Sequence, residues 1–157
     1  MMAPRDLLAE HPFLAGLEPR WLDNLAEHAH PVYRNRQHRL FAVGGSARHF
    51  WLIRSGLVVL DIHAPGRGDV VVESIGAGAV LGWSWLFSPY RWSFGAVVVE
   101  AIQAIEFEAA PVRRLMAVDP GLSAELTGRF MRVVVERLQA TRVRLLDLYG
   151  FPTGAKP

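Results

Sequence analysis

The chain contains no cysteine. That excludes disulfides, thiolate metal sites, iron–sulfur clusters and cysteine nucleophiles, and it fits a reducing cytoplasm. No apolar stretch is long enough to span a bilayer, and Met1-Met2-Ala3-Pro4-Arg5-Asp6 leads into mixed polar sequence rather than a signal-peptide core. The expectation is a soluble cytoplasmic protein with no membrane partner. Acidic residues are missing between His28 and Leu60, where Arg34, Arg36, Arg39, Arg48 and Arg54 fall. A second basic stretch, Arg129, Arg132, Arg137, Arg142 and Arg144, is relieved only by Glu136. Basic patches attract nucleic acid but are also ordinary solvated faces, and no second recognition element accompanies these.

Catalytic signatures are equally scarce. No serine sits in a recognisable nucleophile turn with histidine and acid partners. Asp61, Asp69, Glu73, Glu100, Glu106 and Glu108 suggest no particular carboxylate pair. The six histidines, His11, His28, His30, His38, His49 and His63, show no repeated ligand spacing. Only His38, His49 and His63 could converge from separate strands of a jelly roll, and no metal site is assigned. No catalytic residue and no cofactor are expected.

What is present is a chain of 157 residues, 51% hydrophobic and 20% charged, enough for one domain with a real core. Its 14 glycines and 10 prolines are dispersed, which predicts many turns and several short strands. An amphipathic helix is predicted over 18–29 from Pro19 and the apolar positions Trp21, Leu22, Leu25 and Ala26. The preceding 11–17 segment reads as a further helical turn or an anchored arm. Candidate strands are 39–42, 49–54, 57–63, 70–75, 94–100 and 102–108, separated in many places by glycine breaks. Such a series favours a sandwich, jelly roll or barrel over a parallel sheet, whose crossover helices have no room here.

After Ala110-Pro111 the period becomes helical. A short helix is predicted over 111–118, then a long one from Pro120 to about Leu148. On the long helix Thr127, Met131, Val134, Leu138, Thr141, Leu145 and Leu148 alternate spacings of four and three, a heptad-like seam. Leu126, Phe130 and Val133 form a neighbouring stripe. Two adjacent stripes suggest one face for the chain's own domain and one for a second copy, a homodimer through Met131, Val134, Leu138, Thr141, Leu145 and Leu148. The alternative is a single helix lying on its own domain. Residues 1–150 are expected to form the domain and 151–157 a flexible tail.

The densest chemical signal is the run from Gly82 to Phe94, which places Trp83, Trp85 and Trp92 within ten residues beside Ser84, Pro89, Arg91 and Ser93. Aromatics at this density build core, an interface or a ligand cavity.

The order of N-terminal helices, glycine-punctuated strands, short helix and long C-terminal helix resembles the cyclic nucleotide-binding domain of catabolite-activator-type regulators and of kinase and channel regulatory domains. The resemblance runs from about Phe13 to Leu148. It is carried by the strand–glycine–strand stretch Phe50–Val58, by the approach Ile75–Gly82 to a phosphate-binding cassette, and by the helix and proline of Pro111–Pro120. It implies a mainly β, jelly-roll fold with flanking helices and a non-catalytic regulatory role. In binding members the cassette opens with glycine and glutamate and closes with arginine and a small residue. The glutamate accepts from the ribose hydroxyl, and the arginine with backbone N–H groups holds the cyclic phosphate. By that match Gly82 keeps the glycine and Ser93 the small residue, while Trp83 stands at the glutamate and Trp92 at the arginine.

Both diagnostic side chains are thus replaced, and conventional cyclic AMP binding is not expected. Arg91, one residue early, points away from the site if it lies in a regular strand and reaches it if the loop extends through it. Four readings stay open: tryptophans filling the cavity, an aromatic pocket for another small molecule, a retained atypical nucleotide site, and a protein-docking patch in a larger complex. The chain also stops where such regulators continue into a helix-turn-helix domain, so direct DNA binding is not expected.

Overall fold

A computed structural model describes residues 2–150. Helix α1 (Pro4–Glu10), a 3-10 turn (Pro12–Leu14) and helix α2 (Pro19–Ala26) precede six strands. These are β1 (Ala29–Arg34), β2 (Arg39–Phe41), β3 (His49–Ala64), β4 (Gly68–Gly76), β5 (Val80–Leu81) and β6 (Gly95–Glu108). A second 3-10 turn, Ser84–Leu86, lies between β5 and β6, and helices α3 (Ala109–Val118) and α4 (Pro120–Leu148) close the chain. The chain divides into two compact units, 1–123 and 124–157, with the boundary inside α4. The expected tail, 151–157, lies outside the described residues.

Proline starts the helices where the sequence places it. Pro4, Pro12, Pro19 and Pro120 each occupy a first helical position, where the missing N–H costs nothing and the fixed φ is already helical. Asp119 caps α4 by accepting from the Leu122 N–H at 3.1 Å and from the Trp21 indole at 2.8 Å. The Leu122 N–H first, then the indole, hold its carboxyl below the usual aspartate range.

The strands form one antiparallel sheet in the order β1-β6-β3-β4, with β2 also on β6 and β5 on β3. Two pairs of predicted strands are each a single strand: 49–54 with 57–63 is β3, and 94–100 with 102–108 is β6. The break read at Ser55-Gly56 is a kink, marked by register shifts between Ile53 and Val58. Gly56 sits there at φ +88°, and a Cβ would press into the Ala101 carbonyl and come within 2.9 Å of that of Glu100. Two strands went unpredicted. β1 carries Pro31, which is tolerated because β1 is an edge, and β5 has two residues.

Leu8, Leu25, Leu52, Ile53, Ile102, Ile105 and Phe107 are almost wholly buried and form the centre of the core. Asp61, buried on β3, is matched by both nitrogens of the Arg39 fork at 3.1 and 2.7 Å. The acids without a sequence role largely share this pattern, with Glu106 facing Arg34 and His49, Glu108 facing His30, and Asp69 facing His63. His49 and His63 stand at opposite ends of β3 and cannot converge.

The N-terminal arm is fastened by His11, buried between α1 and the first 3-10 turn. Its Nδ1 accepts from the Phe13 N–H at 3.2 Å, so Nε2 carries the proton and donates to the Ile53 carbonyl at 2.9 Å. Burial holds the ring below the usual imidazole range, the Ile53 carbonyl opposes this, and the Arg54 charge adds to it.

Three outcomes are expected. Gly56→Ala should destabilise the chain by more than about 2 kcal/mol in denaturant unfolding, through strain and backbone collision together. Gly66→Ala, at φ +80° with open space around it, should lose only about 1 kcal/mol. In the unfolded chain His11 regains its ordinary value near 6.5, so as pH falls the unfolded state takes up the proton first. Stability should therefore be complete above that value and decline below it until the folded ring protonates, and His11→Gln should flatten the decline between pH 7 and 5.5 in thermal melts.

Candidate functional site

The segment between β5 and β6 is held at both ends by main-chain hydrogen bonds. Trp92 exchanges them with the β2–β3 loop: its N–H reaches the Gly45 carbonyl at 2.9 Å and its carbonyl accepts from the Gly44 N–H at 2.8 Å. Arg91 forms a one-residue antiparallel bridge with Ser46. Extended backbone alternates its side chains, and Trp92 is accordingly buried while Arg91 is exposed. The Arg91 guanidinium donates to the Gly44 carbonyl at 3.1 Å.

The Trp92 ring lies 3.8 Å from Phe41 between centroids, nearly parallel, and Trp51 closes a triangle at 5.6 Å from Phe41 and 6.2 Å from Trp92. Its edge covers Gly82, which stands at φ +95°; a Cβ there would come within 2.9 Å of the ring. The residue at the expected arginine position and the glycine at the opening of the cassette are therefore in direct contact. Trp51 is fixed in turn by donating its indole N–H to Glu106 at 2.9 Å.

Trp85 goes elsewhere. It is fully buried and stacks on Phe50 at 4.4 Å, which stacks on Phe107 at 4.6 Å. Phe50 and Trp51 are neighbours on β3 and face opposite sides of the sheet. The two aromatic stacks are thus on opposite faces, and Trp85 and Trp92 do not share one cavity. The Trp85 indole N–H donates back to the Gly82 carbonyl at 3.2 Å, closing the 3-10 turn. Trp83, at the expected glutamate position, precedes that turn and is half-buried, as is Ser84; Ser93 is exposed.

Sequence reasoning missed Arg113. From α3 it donates to the Trp85 carbonyl at 2.9 Å and lies over the Tyr90 ring at 4.1 Å, joining both ends of the loop. Its helical position carries no pattern that would mark it. Phe41 was likewise read only as part of a strand.

On α4, Met131, Leu138, Thr141, Leu145 and Leu148 of the expected seam are exposed and Val134 is half-buried. Leu126 and Phe130 of the neighbouring stripe are buried. Among the described residues no group of three or more histidine or carboxylate side chains could hold a metal ion, and no helix is long and apolar enough to cross a membrane.

Comparison with known proteins agrees with this architecture. The chain is 27% identical over 143 residues to the CRP-like cAMP-activated global transcriptional regulator of Mycobacterium tuberculosis, covering 91% of this chain and 62% of the relative. It therefore spans about three fifths of the length of the curated relatives it matches. A cyclic nucleotide-binding domain from Methylobacillus flagellatus superposes with a TM-score of 0.77 at 17% identity, over 99% of this chain and 85% of that one. The Thermus thermophilus catabolite activator protein superposes with a TM-score of 0.68 at 21% identity, over 89% and 63%. These likenesses establish the fold, with its N-terminal helices, antiparallel sheet and long C-terminal helix. The family model for the cyclic nucleotide-binding domain matches residues 32–119, more than half of the sequence, and the chain belongs to that family.

Proposed function

We propose that residues 1–150 act as a non-catalytic regulatory module of the cyclic nucleotide-binding fold, working in the cytoplasm, whose phosphate cassette is closed by its own aromatic side chains. The observation that carries the reading is the Trp92 indole lying on Gly82 and stacked on Phe41. A cyclic phosphate needs a charged fork and open backbone N–H groups at that point. Here the fork is an apolar ring, and Arg91, the nearest cation in sequence, is turned outward onto Gly44. Arg39 is committed to Asp61 and Arg34 to Glu106. Losing a buried charge partner costs about 2–5 kcal/mol, a large share of the roughly 8 kcal/mol behind a micromolar affinity.

Signalling in the proposed module runs through association. The exposed Met131, Leu138, Leu145 and Leu148 repeat at heptad spacing on a 29-residue helix. That spacing suits a second copy of the same helix better than an irregular partner, because each knob meets an equivalent hole.

Calorimetry with cyclic AMP and cyclic GMP should give no saturable heat up to about 1 mM. A dissociation constant below about 10 µM, with the Gly82 amide and the Trp92 indole resonances moving as binding saturates, would overturn the closed-cassette reading. Light scattering should give a two-chain mass that falls to one chain in Leu138→Glu and Leu145→Glu; a monomeric parent at high concentration would remove the dimer.

A further inference from the structure

Outside the cassette, on the side to which Arg91 is turned, the chain forms a second concavity of about 560 Å³. It is lined by the start of β3, the end of the tryptophan loop and the start of α3, and its charged and polar side chains include Ser46, Arg48, Arg91, Arg113 and Glu108. Main-chain bonds tie the three segments together: the Ala47 N–H donates to the Tyr90 carbonyl at 2.7 Å and the Ala109 N–H to the Arg48 carbonyl at 2.9 Å. The walls are thus parts of one fixed scaffold. The volume falls within the range of small-molecule sites.

Three guanidinium groups border this groove against one carboxylate, Glu108, which is itself paired to His30 at 3.0 Å. Arg91 and Arg113 are each oriented by one bond to a backbone carbonyl, of Gly44 and of Trp85. A guanidinium has five N–H donors in a rigid plane, so each is aimed without being saturated. Neither bond neutralises its charge. The Arg48 side chain has no hydrogen-bond or ion-pair partner among the described residues. Tyr90, held at φ +55° with Arg113 over its ring, forms an aromatic wall.

We propose that this groove is a binding site for a small, multiply charged phosphate-bearing molecule, distinct from the closed cassette. Pre-aimed arginine forks recognise phosphate oxygens in pairs, and several of them select a polyanion over a single carboxylate. Arg113 also holds the carbonyl of Trp85, so an occupant that draws on Arg113 acts directly on the loop carrying Trp85 and Trp92. The site stands on the groove's own geometry and does not depend on how the cassette behaves.

The test uses the full chain and pyrophosphate as the probe, at about 0.1 M salt so that diffuse surface attraction is screened. Calorimetry should give saturable binding with a dissociation constant below about 1 mM. Backbone amide shifts in NMR should centre on Ala47, Arg48, Tyr90 and Arg91. Arg48→Gln should weaken binding by about tenfold or more, because its side chain supports nothing else in the fold. Arg67→Gln, in the turn between β3 and β4, should leave it within about twofold. Absence of saturation, equal losses in the two variants, or shifts centred on Gly82 and the Trp92 indole would each overturn the assignment.

Discussion

Nearly everything in the first unit depends on the pairing of β3 with β6. These strands of 16 and 14 residues run antiparallel along almost their whole length. Every other strand attaches to one of them, β1 and β2 to β6, β4 and β5 to β3. The pairing survives the kink at Gly56 because only glycine lets the backbone bend there against the Ala101 carbonyl. It also fixes the cassette, which leaves from β5 on β3 and returns as β6. The sides to which Trp85 and Trp92 turn follow from the alternation of Phe50 and Trp51 on the same strand.

Much of this was legible in the sequence because it rests on local chemistry. Proline at the first helical position marked α2 and α4, and the apolar period carried α4 from Pro120 to Leu148. What was not legible depends on partners distant in sequence. Ser55-Gly56 reads as a turn, since a positive-φ glycine usually ends a strand; it is a kink because β6 pairs with both sides. Pro31 hides β1, and only its place at the sheet edge makes a proline harmless there. The order of residues marks the loop between β5 and β6 as the expected cassette, while the division of Trp85 from Trp92 between two faces is a property of β3. Arg113 could not be found by pattern, because its partners are a carbonyl and a ring of the loop 23–28 residues earlier in the chain.

The proposed closure of the cassette rests on packing. A stacked, buried ring holds the loop through packing against Phe41, Trp51 and Gly82, which needs no occupant to be stable. The loop in this chain is completed by its own side chains, and the arginine left in the segment is turned to the other side, where it joins Arg48 and Arg113 at the outer groove.

Closure of the cassette can be observed directly at the contact between the Trp92 indole and Gly82. The indole N–H resonance of Trp92, assigned by its loss in Trp92→Phe, and the Gly82 amide can be followed by NMR as cyclic AMP is raised to about 1 mM. With the ring closed over Gly82, neither resonance should move. Saturable movement of both together would show the ring yielding its place to the nucleotide, and would contradict closure.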